Sequence, residues 1–365
     1  MITSSFDNIR ISGIATTVPS RCVDIHEYDS LFGEDVVTKN IITTGVRQAY
    51  YASEQQTSSD LAYVAARRLL TEMNIDPKSI DVLIFTAAYL DYQVPPTSCV
   101  LQYRLGLSTD CIVFDVNLAC SGFVYSLQTM GAILNSSSAK RGLILTGDIT
   151  SKVVSPMDKS RMIFGDAGTA TLVEKKEHSG KINIAMKTDG SRFKSIIVPA
   201  GAYRNVNASH ERTLWSDGNT RSDYDLFMNG MDVFSFSMSD VPKMAIDFME
   251  KFNYAPEDFD AYVFHQPNLF ILKHLIKKIG APQDKMCVSL DRYGNTSVCA
   301  IPLTICDSFA NESSVKKNVL VRFWCWTLVG LCFSIFRYYT CVCDRKNGRF
   351  LCGRSGRTLI KGVLR

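Results

Sequence analysis

Three residues of this 365-residue chain combine a reactive or hydrogen-bonding side chain with a setting suited to chemistry: Cys120, His265 and Asn295. Cys120 lies in FDVNLACSGFVYSL, between the apolar, β-branched run CIVFDV (Cys111 to Val116) and a segment, Ser121 to Leu134, with apolar residues at helical spacing. The pattern predicts a strand buried on both faces, a turn carrying the thiol, and a helix. A thiol at a helix N-terminus meets unpaired backbone N–H groups and the positive end of the helix dipole, which together favour the thiolate, a nucleophile. The competing reading is a buried thiol acting as a small apolar filler. His265 closes the strand of DAYVFHQP, and Asn295 lies in the glycine-containing loop of DRYGNTSVCAIPLTICDSF, just before another apolar helix. There a histidine supplies a base or hydrogen-bond donor, and an asparagine a neutral donor. Taken singly, His265 also reads as a hydrogen-bonded core residue and Asn295 as a turn residue beside Gly294.

The elements that must position these groups repeat. SDLAYVAARRLLTEMNIDPKSIDVLIFTAA (Ser59 to Ala88) reads as an amphipathic helix, a turn with Pro77 and the strand DVLIF; SDVPKMAIDFMEKFNYAPEDFDAYVFHQP (Ser239 to Pro267) reads as the same helix, a turn with Pro256 and the strand DAYVF. The Ser-Asp starts lie 180 residues apart and the strand ends 179 apart. A near-constant offset argues for an α/β chain built from two similar halves. Reactive groups in layered α/β folds collect at the C-terminal ends of strands, where loops converge, and all three candidates fall at such positions.

Composition narrows the function classes. Hydrophobic residues make up 46% and charged residues 21%, an ordinary globular balance. The N-terminus MITSSFDNIRISG has neither a basic nor an apolar signal region, so a cytoplasmic location is expected. The body cysteines Cys22, Cys99, Cys111, Cys120, Cys287, Cys299 and Cys306 are scattered among apolar neighbours without metal-ligand spacing, and most read as reduced core thiols. The net charge of +4 hides an asymmetry: residues 322–365 hold nine Lys/Arg and one Asp, leaving the first 321 residues at about −4. A nucleic-acid binder needs a basic patch in its folded body, and none is evident.

The chain resembles the thiolase-fold condensing enzymes, most closely the β-ketoacyl-acyl-carrier-protein synthase III family. The resemblance rests on TTGVRQAYYA (Thr43 to Ala52), NLACSGFVYSL around Cys120, MIFGDAGTATLV (Met162 to Val173), FMNGMDVFSFS (Phe227 to Ser237), VFHQPNL with His265 and YGNTSVCAIPL with Asn295, in the family's order. It implies a duplicated α/β/α/β/α layered fold, with one half over residues 1–175 carrying Cys120 and the other over 176–321 carrying His265 and Asn295. It also implies a ping-pong acyl transfer in which Cys120 takes an acyl group from a thioester. His265 and Asn295 then hold the carbonyl of a malonyl-type extender while it loses CO2. Coenzyme A or acyl-carrier-protein thioesters would be the partners, no metal or redox cofactor is needed, and a homodimer is expected, with Ala87 to Leu107 a candidate interface element. Two departures stand out. The Trp and Arg with which such synthases grip the adenine of coenzyme A have no counterpart in EDVVTKNIITTGVR (Glu34 to Arg47), where Thr43 falls near the Arg position. The Arg after the HQxN motif, associated with carrier docking, is Phe270, although Asn268, Lys273 and Lys277, with Lys278 beside them, remain candidate docking residues on a basic helix.

Residues 322–365 do not fit the resemblance. They contain five of the twelve cysteines and two of the three tryptophans, and their uncharged run, Phe323 to Phe336, is too short for the roughly 20 residues of a membrane span. The family has a glycine-rich loop of the type G-F-G-x-G-x-S-W-G here. Reading the codons one base later converts Trp324 and Trp326 to glycine, and codon degeneracy lets the whole run Arg322 to Gly330 become G-F-G-V-G-L-S-W-G. A frameshift near residue 321 is therefore the expectation for this tail. Two rival functions remain: a same-fold acyltransferase to an oxygen or nitrogen nucleophile, and an inactive pseudo-synthase that binds acyl carriers.

Overall fold

The computed structural model describes residues 1–309 and the backbone of four later strands between 319 and 352. In chain order, the strands that matter here are β1 (Ile2–Asp7), β2 (Ile9–Val18), β3 (Val82–Thr86), β4 (Ile112–Val116), β5 (Arg141–Asp148), β6 (Ala167–Lys175), β7 (Lys181–Thr188), β8 (Ala261–Phe264), β9 (Met286–Cys287), β10 (Val319–Phe323), β11 (Thr327–Phe333), β12 (Tyr338–Cys343) and β13 (Phe350–Cys352). The helices are α1 (Ser58–Glu72), α2 (Thr97–Leu105), α3 (Gly122–Ser136), α4 (Gly230–Phe252), α5 (Leu269–Lys278) and α6 (Ala300–Phe309).

Two sheets result. One runs β13-β12-β2-β6-β5-β3-β4 and the other β1-β7-β11-β10-β8-β9. The stretch β2-β6-β5-β3-β4 of the first matches β7-β11-β10-β8-β9 of the second in order and in sense, with two antiparallel pairings followed by two parallel ones. This is the duplication that the helix–turn–strand echo predicts. The echo itself is present as α1, the 3-10 turn Pro77–Ser79 and β3, then as α4, the 3-10 turn Pro256–Asp258 and β8. One difference is the start of α4, at Gly230 rather than Ser239, because Asn229 caps it by accepting the Asp232 backbone N–H and the helix runs through Pro242.

The layers follow from the alternation of side chains along the strands. Ile84 and Ile144 face a core shared with Phe123, Leu127 and Met130 of α3, Ile301 and Ile305 of α6, and Ile184 and Val263 of the other sheet, so α3 and α6 form a middle layer. Leu83, Phe85, Leu143 and Leu145 point the other way, onto Ala62, Ala66 and Leu69 of α1 and Leu101 of α2. Tyr262 and Phe264 face Val241 and Phe248 of α4 and Ile271 and Leu275 of α5. The order is helix, sheet, helix, sheet, helix.

Two expectations are corrected. β4 is not buried on both faces: it lies at the edge of its sheet, and Ile112 is half exposed, because no described strand covers its outer side. Of the seven body cysteines, most of which read as core thiols, only Cys111, Cys299 and Cys306 are buried, while Cys22, Cys120 and Cys287 are partly exposed and Cys99 is exposed. In the backbone of the second sheet β11 lies between β7 and β10, the place that β6 takes in the first half. Of the run 322–330, where the glycine loop is expected, 322–323 and 327–330 are strand backbone of β10 and β11, whereas 324–326 and the last residues of the tail lie outside the described residues.

Candidate active site

Cys120 sits where its sequence places it. β4 ends at Val116, α3 begins at Gly122, and the Gly122 backbone N–H donates to Ala119 O at 2.8 Å, turning the chain tightly around the thiol. Gly122 is required there: a Cβ would collide with Cγ2 of Thr86 at the end of β3. The helix start is thus pressed against the C-terminal end of the parallel strands, and Thr86 in turn is paired with Thr146 of β5.

Asn295 reaches the same place from the other half. Its backbone N–H donates to Ile163 O at 2.8 Å and its carbonyl accepts the Gly165 N–H at 3.1 Å, which docks the loop onto the first half of the chain. Gly294 makes this possible with φ +66, where a side chain would press on Ile163 O. Asn295 Oδ1 accepts the Ser297 backbone N–H at 2.9 Å, leaving Nδ2 as the donating end of the amide. Ser297 is held in the left-handed region at φ +48, uncommon for a residue with a Cβ, and its Oγ lies 3.7 Å from Cys120 Sγ. The structure therefore joins Cys120 to the Asn295 loop through Ser297.

His265 follows the last residue of β8 and is buried, at 2% exposure. Its neighbour Gln266 fixes the strand end: Nε2 donates to Phe264 O at 2.8 Å, and Oε1 accepts the Ser289 backbone N–H at 3.0 Å. Ser289 Oγ bonds Thr304 Oγ1 of α6 at 2.7 Å, which ties this corner to the middle layer.

Among the candidate docking residues, Asn268 caps α5, its Oδ1 accepting the Ile271 N–H at 2.8 Å. Lys273 and Lys277 are exposed on that helix, and Phe270 is exposed and stacks on Phe234, with ring centroids 5.8 Å apart. Thr43 lies near the end of a helix over Glu34–Thr44 and donates its hydroxyl to Lys39 O.

The sequence reading missed a buried acid beside the thiol. Asp148, the last residue of β5, is 1% exposed, and burial pushes its carboxyl up to about 7, with the charges of Asp166 and Cys120 adding to the rise. Burial also raises Asp166 to about 6, although the Ala52 and Ser151 backbone N–H groups and the Ser151 hydroxyl donate to it. Tyr89 is raised by burial and then by Asp148 and Cys120. The available signal was the strand RGLILTGD ending in an acid at the rim where Cys120 also lies.

Comparison with known proteins bears on this arrangement. The family model for 3-oxoacyl-[acyl-carrier-protein] synthase III matches residues 114–190, and that for its C-terminal part matches residues 249–324. The chain is 30% identical over 316 residues to the β-ketoacyl-[acyl-carrier-protein] synthase III of Clostridium perfringens, covering 85% of this chain and 93% of that one. The chain belongs to the 3-oxoacyl-[acyl-carrier-protein] synthase III family. Its fold superposes on a 3-oxoacyl-(acyl-carrier protein) synthase of Burkholderia xenovorans with a TM-score of 0.85 at 29% identity, covering 92% of this chain and 96% of the other. A second 3-oxoacyl-(acyl-carrier-protein) synthase III structure gives 0.85 at 31% identity, covering 89% and 99%. The fold is thus the thiolase-like one that the motifs imply, and as a synthase III the chain is a condensing transferase acting on acyl thioesters. The first family match spans Cys120 and the second spans His265 and Asn295.

Proposed function

We propose that Cys120 is the nucleophile of this synthase and that His265 and Asn295 hold the extender. The Cys120 thiolate attacks an acyl thioester, the carrier leaves as its thiol, and the acyl group remains on sulfur. A malonyl thioester then loses CO2, and donors from His265 and the Asn295 amide stabilise the enolate oxygen as charge develops on it. The enolate carbon attacks the acyl carbonyl, and collapse of the tetrahedral adduct expels the Cys120 thiolate and leaves a β-ketoacyl thioester. The observation that carries this reading is the joining of Cys120 to the Asn295 loop through Ser297, with Asn295 Oδ1 engaged so that Nδ2 is left to donate.

Acyl carrier protein is the proposed donor, because Lys273 and Lys277 keep α5 basic and attractive to an acidic carrier, while the coenzyme A-gripping Trp is missing from Glu34–Arg47. A homodimer is supported by the open edge of β4 and the exposed Tyr92, Val94 and Tyr103; a sedimentation mass of one chain would refute it. Among the described residues no helix is long and apolar enough to cross a membrane, and a cytoplasmic location is proposed from the sequence alone.

The test is mass spectrometry of the protein after incubation with acyl-carrier protein, followed by malonyl-carrier addition. The expected result is a mass gain that peptide mapping places on Cys120, discharged by malonyl-carrier with CO2 release, and absent in Cys120→Ser. An adduct mainly on Cys287 or Cys299 ends the assignment. A stable acyl-enzyme unmoved by malonyl would favour the acyltransferase reading, and no mass gain the pseudo-synthase.

A further inference from the structure

The rim around Cys120 holds one group that the condensation scheme does not use. Asp148 closes β5, and its side chain lies on the same face of that strand as Thr146. Thr146 Oγ1 lies 3.2 Å from Cys299 Sγ, and Cys299 belongs to the 3-10 turn Ser297–Cys299 whose first residue approaches Cys120. Thr146 also pairs with Thr86, the residue against which Gly122 packs. Asp148 is thereby aimed into the space between the nucleophile's turn and the Asn295 loop. Its Oδ1 accepts the Thr150 backbone N–H at 2.8 Å, while Oδ2 is buried without a hydrogen-bond partner among the described residues. A half-satisfied carboxyl in a sealed site is costly when ionised and much less so as the neutral acid.

Two acids, Asp166 and Cys120, raise Asp148 through their charges, and the charge of Asp148 in turn raises Tyr89 and Cys299. Asp166 precedes β6, Tyr89 follows β3, Cys120 precedes α3, and Cys299 precedes α6. The nearby cations act on Asp166: Arg161, whose charge lowers it, donates to the carbonyls of Ser151 and Val154 at 2.6 and 2.9 Å, and Lys152, which feels the Asp166 charge, donates to those of Glu54 and Gln56 at 2.8 and 2.5 Å. A negative charge on Asp148 therefore repels a thiolate at Cys120, and the low-dielectric surroundings do little to screen it.

We propose that Asp148 is a positioning residue that sets the ionisation of Cys120, the two acids competing for one negative charge so that an ionised Asp148 opposes the thiolate. The two groups share one negative charge. Cys120 is most reactive while Asp148 keeps its proton, and ionisation of Asp148 delays the thiol's own titration to higher pH. The proposal rests on Cys120 as the nucleophile but needs neither acyl transfer nor condensation for its test, so its failure is distinguishable from failure of that assignment.

The experiment follows the rate at which iodoacetamide alkylates the Cys120 peptide as a function of pH, in the full chain and in Asp148→Asn. Asparagine keeps an oxygen for the Thr150 N–H and cannot carry the charge. The variant's profile is expected to move to lower pH by about half a unit or more, which on the rising limb is on the order of a threefold gain in rate. A superimposable profile, or one moved to higher pH, overturns the proposal. A measurement on the unaltered chain covers the case in which the variant does not fold. Infrared titration of the buried carboxylic-acid carbonyl band, before and after Cys120 is alkylated, should show the higher-titrating of the buried acids move to lower pH once the thiolate is gone, because the coupling is reciprocal. No movement of that band overturns the proposal as well.

Discussion

At the scale of single residues, the proposed scheme divides the work between a group that carries the acyl chain and groups that stabilise charge. Asn295 is the clearer of the latter, since its Oδ1 is engaged by Ser297 and only its donating end remains for substrate. His265→Ala and Asn295→Ala should each still acylate at Cys120, because neither side chain is needed for thiolate attack in the proposed scheme. Decarboxylation of malonyl-carrier should fall by about 100- to 1000-fold in each, the usual loss when one of two donors to a developing oxyanion is removed. Release of labelled CO2 measures it, and unchanged decarboxylation in either variant removes that residue from the role. Cys120, His265 and Asn295 stood out as candidates in the sequence because each sits at a strand-to-loop boundary that apolar periodicity reveals. Ser297 and Asp148 were not, since a serine in a turn and an acid after a strand are ordinary until the fold sets them beside a thiol.

At the scale of elements, the site depends on helices pressed against strand ends with nothing between. The start of α1 lies directly on β5 and β6: a Cβ at Gly147 would collide with Ser58 O, and one at Gly168 with the Leu61 carbonyl carbon and the Ala62 backbone nitrogen. Backbone cannot rotate away as a side-chain tip can. Gly168→Ala should therefore destabilise the protein by about 1–3 kcal/mol, the usual cost of overpacking, read from urea unfolding of the folded variant. A variant as stable as the parent would show that α1 shifts freely on its sheet. The helix–turn–strand echo could be read from sequence because in both halves a helix returns the chain to its sheet through a short 3-10 turn. The true start of α4 was hidden because Pro242 and the Ser-Asp pair before it look like a first turn, while the actual cap, Asn229, lies further upstream.

At the scale of the whole molecule, the C-terminal strands decide whether both sheets are complete. The backbone of Thr327–Phe333 takes the place in its sheet that Ala167–Lys175 takes in the other, yet the composition from residue 322 onward departs from the body, and the C-terminal family match reaches only to residue 324. The frameshift expectation is kept as a proposal for this region. Replacing residues 322–365 with an ending that begins G-F-G-V-G-L-S-W-G should raise the condensation rate by at least about 100-fold: the family resemblance implies that a backbone N–H of this loop donates to the oxyanion, one such donor is typically worth that much, and only glycine lets backbone come that close to a bound thioester. The measurement is β-ketoacyl product formed by the two chains under the same conditions, together with the coding DNA around codon 321. Condensation by the original chain at the rate of the replaced one would mean that its own ending serves.

The sequence by itself determined the three candidate groups, the duplicated α/β plan and the family, since all depend on local period, on turn chemistry and on the order of motifs along the chain. The tertiary structure alone decided which groups meet. Cys120 and Ser297 are joined only because two halves of the chain bring their strand ends to one rim, and the partly open character of β4 follows from its edge position rather than from its apolar residues. The state of Asp148 is likewise tertiary. Its carboxyl is raised because burial removes water and leaves one oxygen unpartnered beside other acids, a condition set by what packs around it.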